Sequence, residues 1–309
     1  MRTWRSALIA SAFVMSAAWT TTFVVQVSAQ AHSPWNVSYF PNVPLTTQDG
    51  ERIGFYDLIK GKTVAIELMY TSCDYACPLE TARLAQVQTM IGDRMGRDIF
   101  FYSISIDPKH DTPAVLKAYA EKYHAGPGWK FLTGKPSDIE LLSRKLGLYS
   151  PPNPKDKDGH TPTLLIGNEP SGQWTRGSAL DNARLTATMI GNWFGGYQNA
   201  GPVRSYADAT PMPKFTTGEY LFAKKCSVCH SLGGEPKLGP DLTHVVHMRD
   251  REWLARYISS PDEMLRAGDP IAKALTKSYQ EIRMPNLGLS RADIADILGY
   301  LESRATPAK

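Results

Sequence analysis

Thr63-Val64-Ala65-Ile66-Glu67-Leu68-Met69-Tyr70 runs directly into Thr71-Ser72-Cys73-Asp74-Tyr75-Ala76-Cys77-Pro78, and the reading of this passage decides the fold. In the first half Val64, Ile66, Leu68 and Tyr70 alternate with Thr63, Ala65, Glu67 and Met69, the period of two expected of a strand. In the second half Pro78 suits a first helical position, where its fixed φ and missing N–H are tolerated. Leu84, Val87 and Ile91 then recur at helical spacing. A strand therefore hands over to a helix, with Cys77 at or beside the N-cap. The positive end of a helix dipole favours thiolate, so Cys77 is expected to be the more acidic of the pair. Cys73, nearer the strand end, is expected to be the more exposed. Two thiols at this spacing can close a disulfide or converge on one soft metal ion. A structural disulfide in an exported protein is the plainer alternative.

Composition sets outer bounds. With 309 residues, 42% hydrophobic and 21% charged, the chain is ordinary globular material long enough for two domains. A net charge of +4, with Lys and Arg interspersed among Asp and Glu and no basic run, gives no reason to expect nucleic acid. The four cysteines fall into two tight pairs, Cys73/Cys77 and Cys226/Cys229, which look like two chemical sites rather than a disulfide framework. At the N-terminus Arg2 and Arg5 precede an uncharged stretch from Ala7 to Val27, and Ala29-Gln30-Ala31 offers small residues for a signal peptidase. Residues 1–31 are read as a signal peptide or, if retained, as an N-terminal anchor in the inner membrane. Either way the folded part is expected outside the cytoplasm, in the periplasm.

Residues 33–197 read as one α/β domain. Asp49-Gly50 marks a turn. Ile99 to Ile106 is a nearly continuous apolar run, as in a strand covered on both faces. Thr112 can cap a helix whose first residue is Pro113, with Leu116, Tyr119, Ala120 and Tyr123 on its apolar face. Ser137 and Glu140 suggest a capping box for a helix carrying Ile139, Leu142 and Leu146. Thr163-Leu164-Leu165-Ile166 is a further strand, and Arg184 to Phe194 a closing helix. Alternating strands and helices argue for a layered sheet. His160 precedes Thr161-Pro162-Thr163 at the entry to the Leu164 strand, and the X-Pro bond there is extended and can be cis. A lone loop histidine is ordinarily a solvated one. Here, two cysteines plus one imidazole would make a three-coordinate soft site suited to copper.

Cys73-Asp74-Tyr75-Ala76-Cys77-Pro78, the Asp107-Pro108 and Asp111-Thr112-Pro113 stretch, and His160 before a Leu-Leu-Ile strand resemble the Sco (SenC-like) family of copper chaperones. The resemblance implies a thioredoxin-like fold, copper bound by Cys73, Cys77 and His160, cysteines able to cycle between dithiol and disulfide, and a part in building the binuclear copper site of a cytochrome c oxidase. Thr161-Pro162-Thr163 departs from the usual Sco loop toward the proline-led strand of thioredoxins, which adds weight to thiol–disulfide exchange.

Residues 198–213 lack an apolar period and contain Gly201-Pro202 and Thr210-Pro211-Met212-Pro213, so they read as a linker. From 214 to 305 the pattern is helical. Thr216 and Glu219 suggest a capping box for a helix containing Tyr220, Leu221 and Phe222. Cys226-Ser227-Val228-Cys229-His230 is the covalent haem attachment pattern: two thiols to add to the haem vinyl groups and an imidazole placed under the iron. Among His244, His247, Met248, Met264 and Met284, the sixth-ligand candidate is Met284, in a Pro-flanked loop before a final helix capped by Ser290 and Asp293 and carrying Ile294, Ile297, Leu298 and Leu301. Together with Gly239-Pro240-Asp241-Leu242 and Trp253, these residues resemble a small all-α class I cytochrome c. The resemblance implies one covalent haem c with His230 and Met284 as axial ligands.

The leading expectation is a periplasmic copper-binding assembly factor with a fused electron carrier. Its partners would be the copper-site subunit of a cytochrome c oxidase, a periplasmic copper donor and redox proteins. The rival expectation is an enzyme, a thiol–disulfide reductase in which Cys73 attacks and Cys77 resolves, or the reverse. A weaker one makes the first domain a passive scaffold for the haem.

Overall fold

The computed structural model describes residues 39–150, 161–194 and 215–305. The expected leader, the ligand candidate His160 and the linker at 198–213 lie outside the described residues. β1 (Pro44–Thr47) and β2 (Arg52–Gly54) form a hairpin whose turn holds Gly50 at φ +83°, the left-handed backbone that favours glycine. α1 (Phe55–Ile59) leads to β3 (Thr63–Met69). Then come α2 (Cys77–Ile91), β4 (Ile99–Ser105), α3 (Pro113–Lys122), β5 (Trp129–Gly134) and α4 (Pro136–Leu146). β6 (Thr163–Asn168) and β7 (Gln173–Ser178) follow, and α5 (Ala183–Thr188) runs on as a π-helical stretch through Met189–Phe194.

The strands make one sheet in the order β2-β1-β5-β4-β3-β6-β7. β5, β4 and β3 are parallel at its centre, while β1 joins β5, β6 joins β3 and β7 joins β6 antiparallel. All seven residues of β3 are buried. Val64, Ile66 and Leu68 enter one core with Phe40, Phe55 and Leu132, whereas Ala65 and Met69 enter another with Phe101, Phe131, Leu116 and both cysteines. The alternation is present, but it separates two cores rather than core from solvent. Glu67 is consequently buried, and its carboxylate accepts a 2.7 Å hydrogen bond from Ser103, whose hydroxyl accepts 2.9 Å from the Trp129 indole.

Helix starts follow local chemistry. Thr112 caps α3 by accepting from the Val115 N–H, with Pro113 at its first position. The capping box expected at Ser137 and Glu140 is not formed: α4 already begins at Pro136 with Lys135 at the N-cap, so Ser137 lies inside the first turn. Ile139, Leu142 and Leu146 are buried as expected. The Thr161–Pro162 bond is trans, there being no cis peptide among the described residues.

The C-terminal region is helical: α6 (Thr217–Leu221) extended by a π-helical turn (Phe222–Cys226), then α7 (Val245–Met248), α8 (Arg251–Ser259), α9 (Pro261–Arg266), α10 (Pro270–Ser278) and α11 (Arg291–Arg304). Thr216 caps α6 by accepting from the Glu219 N–H. Ser290 and Asp293 form the reciprocal capping box of α11. Ile294, Ile297, Leu298 and Leu301 pack with Phe222, Trp253, Leu254 and Ile258. Residues 33–309 form one compact unit, and Val228 of the helical region enters the same core cluster as Cys73 and Cys77.

α6 crosses α11 at Gly218, where an added Cβ would lie 2.0 Å from the Asp296 carbonyl oxygen, a backbone atom that cannot step aside. Gly218→Ala should therefore push the helices apart and destabilise this region by about 1–3 kcal/mol, read as a lowered denaturant midpoint.

Candidate metal centre and haem pocket

The thiol pair sits where β3 gives way to α2. Asp111, fully buried, accepts hydrogen bonds from the Thr71 N–H at 3.1 Å and the Ser105 hydroxyl at 2.5 Å, tying the segment after β3 to the end of β4. The Cys73 N–H donates to the Tyr70 carbonyl at 3.3 Å, and the Tyr75 N–H points at the Cys73 sulfur at 3.4 Å. Neither cysteine is in a disulfide, and their exposures are only 2% for Cys73 and 0% for Cys77. Cys73 is thus the more exposed of the two as expected, but only marginally, since both are buried. Burial pushes the Cys77 thiol well up, and the neighbouring Cys73, within hydrogen-bonding reach, reinforces the shift. Cys77 is thus not acidified: desolvation disfavours its thiolate more than the start of α2 favours it.

The third predicted copper donor, His160, lies outside the described residues. Among those that are described, no group of three His, Cys, Asp or Glu side chains gathers to hold a metal. The β3/β6 register places Glu67 opposite Leu164. The start of β6, three residues after position 160, is therefore at the end of β3 that leads to Cys73.

In the helical region Cys226, Cys229, His230 and Met284 all line one partly open apolar cavity of about 190 Å³, with Trp253 and Ile297 among its walls. The His230 Nδ1–H donates to the Pro240 carbonyl at 2.9 Å, and because a carbonyl only accepts, the proton is on Nδ1 and the Nε2 lone pair is available as a ligand. Burial lowers the imidazole's basicity, keeping it neutral. Gly239 makes room for that ring: a Cβ there would sit 2.6 Å from His230 Cε1. Burial likewise pushes the Cys226 and Cys229 thiols up to about 12. An apolar cavity bearing two thiols, a neutral imidazole of fixed tautomer and a thioether fits a haem c. Of the other candidates, His244 and His247 are exposed, Met264 is not in the lining, and Met248 reaches the cavity while 64% exposed.

The two sites touch. Pro78, next to Cys77, and Tyr123, at the end of α3, also line the cavity. The Arg283 guanidinium pairs with the Asp74 carboxylate at 2.6 Å, and the Asn286 N–H donates to the Asp74 carbonyl at 2.7 Å. One residue of the Cys73–Cys77 loop thus holds the chain on both sides of Met284. Arg83 of α2 adds a 2.7 Å bond to the Lys224 carbonyl, just before Cys226. Nothing in the spacing of Asp74, Arg83, Tyr123 or Arg283 marks them in advance, because each acts across a long sequence separation.

The first region is a layered α/β domain on one seven-stranded sheet, and the second is a small helical unit around an apolar cavity. Residues 39–173 match the SCO1/SenC family model and residues 215–305 the Cytochrome c model, so the chain carries one segment similar to each. The SCO1 protein homolog of Bacillus subtilis (strain 168) is 31% identical over 118 residues, 38% of this chain and 60% of that protein. The mitochondrial Protein SCO1 homolog of Homo sapiens is 32% identical over 115 residues, 37% of each chain. The solved SCO1/SenC family lipoprotein of Bacillus anthracis str. Ames is 26% identical with a TM-score of 0.43, covering 49% of this chain and 92% of that one.

Asp241, which follows Pro240, accepts from the N–H groups of Gly233, Gly234 and Thr243 at 2.8, 3.2 and 3.0 Å. Burial raises its carboxyl, but hydrogen bonds from Thr243, Gly234 and Ser231 more than reverse this and hold it well below its ordinary 3.8. The folded state therefore favours the ionised form. Its stabilisation is complete above pH 3.8 and is lost as pH falls through the lower, folded value. Thermal midpoints measured downward from pH 4 should decline, and Asp241→Asn should flatten that part of the curve. Separately, Arg283→Ala should raise hydrogen exchange at the Asn286 amide by up to about fivefold, as expected for a half-exposed ion pair of about 1 kcal/mol or less.

Proposed function

We propose that this protein is an exported copper-binding assembly factor for the binuclear copper site of a cytochrome c oxidase, with its own haem c as electron carrier. The observation that carries this reading is the pair of buried, unbridged thiols in mutual reach inside the Sco-like segment. Two soft donors in a dry setting suit copper, above all Cu(I). His160 is the third ligand, brought in by the chain that enters β6 beside the end of β3. Copper binding would displace the thiol protons, of which burial otherwise holds that of Cys77 in place.

In the helical segment Cys226 and Cys229 would hold a haem c through thioether bonds, with His230 Nε2 and the Met284 sulfur as the donors to its iron. When bound there, haem c supplies one-electron transfer at a potential raised by methionine ligation. The chain's own part is to fix the His230 tautomer through Pro240, hold the Met284 segment through Arg283 and Asn286, and exclude water with Trp253, Leu254 and Ile258. Residues 1–31 direct the chain to the periplasm, where the oxidase subunit, a copper donor and redox proteins are its partners. A thiol–disulfide reductase needs a sulfur open to attack on a client disulfide. The burial of both sulfurs favours the metal reading over that one.

Metal analysis of the exported, haem-loaded protein tests the assignment. The parent should carry one copper, and Cys73→Ser, Cys77→Ser and His160→Ala should each lose most of it while retaining haem. Copper retained in all three variants would transfer the assignment to the reductase.

A further inference from the structure

The haem cavity is not walled by the helical region alone. Tyr123 and Pro78 belong to the Sco-like segment, and Tyr123 is 3% exposed, so its ring fills space between the cavity and the thiol site. From Tyr123 the packing is continuous. Its ring lies 4.7 Å from that of Tyr119, at 39°. The Tyr119 hydroxyl is 3.1 Å from Thr81 Oγ1, and the Thr81 hydroxyl donates to the Cys77 carbonyl at 2.8 Å. Thr81 has one hydroxyl proton, already given to Cys77, so Tyr119 is the donor in its own bond. Cys73, Cys77, Tyr119, Tyr123 and Val228 occupy a single core cluster, with Cys229 and Leu287 packed against it.

We infer that Tyr123 is the side chain through which an electron passes between the haem pocket and the Cys73/Cys77 site, across a fixed internal wall rather than by collisions of two tethered domains. This rests on the function proposed above. The step is a one-electron exchange: Cu(I) at the cysteines becomes Cu(II) as ferric haem becomes ferrous, with no heavy-atom bond made or broken and no proton moved. Tyr123 and Tyr119 keep their own electrons and protons. Burial raises both phenols, so they remain neutral, and they serve as densely packed matter across which electronic coupling decays less than across a void. Pro78 lines the same wall and is bonded to Cys77, so it is the competing route, and an unchanged rate in Tyr123→Ala would assign the exchange to it. Tyr123 is a positioning residue and ligates nothing.

The test uses the full-length, haem- and copper-loaded protein. Flash photoreduction of the ferric haem, followed by its reoxidation by Cu(II), gives the internal rate as the part independent of protein concentration. Tyr123→Phe keeps the ring and should stay near the parental rate. Tyr123→Ala leaves a void and should be slower by an order of magnitude or more, and Tyr123→Leu, which preserves more packing and guards against failure to fold, should fall between them. Haem reduction potential and the far-red methionine–iron absorption are recorded for each, so that a changed driving force or a lost Met284 ligand is not mistaken for lost coupling. A parental rate unchanged in Tyr123→Ala and Tyr123→Leu overturns the role of Tyr123 while leaving copper–haem exchange standing. A parent with no concentration-independent exchange overturns both this inference and the electron-carrier part of the proposed function.

Discussion

Burial of the Cys73/Cys77 junction is the constraint on which the rest depends. A strand covered on both faces delivers the two thiols under the start of α2, and the helical region then packs against the same place. Dry surroundings hold the Cys77 thiol protonated. They also make soft-metal coordination the natural way to ionise it, since a bound cation supplies the charge compensation that water cannot.

Asp74 gives that junction its second function. It stands inside the cysteine loop, yet its carboxylate and its carbonyl engage Arg283 and Asn286 on either side of Met284. The loop that would shape a copper site and the segment that offers a haem ligand are therefore mechanically one piece. Arg83, bonded to the Lys224 carbonyl, repeats the pattern on the side of the cavity that carries Cys226. A linker sets how often two free modules meet. In this structure Asp74, Arg83, Arg283 and Asn286 join the two regions by direct contacts as well.

Much of this was legible in the sequence because it rests on local rules. Thr112-Pro113 and Ser290 with Asp293 start helices through bonds made within one turn. Cys226 to His230 carries the attachment pattern in one short run, and Met284 lines the same cavity as Cys226, Cys229 and His230. What could not be read depends on distant neighbours. Alternation in β3 does not say whether the opposite face meets solvent or a second core, so the burial of Glu67 could not be read from it. The helix-dipole argument for an acidic Cys77 was sound locally and lost to desolvation, which only tertiary packing sets. The capping box at Ser137 gave way to Pro136, one residue earlier. The contact between the two regions has no sequence signature, because Asp74 and Arg283 pair across more than two hundred residues.

The central claim is that Cys73 and Cys77, with an imidazole from the segment before β6, enclose one copper ion in a site shared with the haem wall. Copper-edge X-ray absorption on the full-length, haem-loaded protein tests it most directly. Two sulfur neighbours and one imidazole nitrogen are the predicted shell. A shell of nitrogen and oxygen alone, with both thiols still alkylatable after unfolding in the presence of the metal, would contradict it.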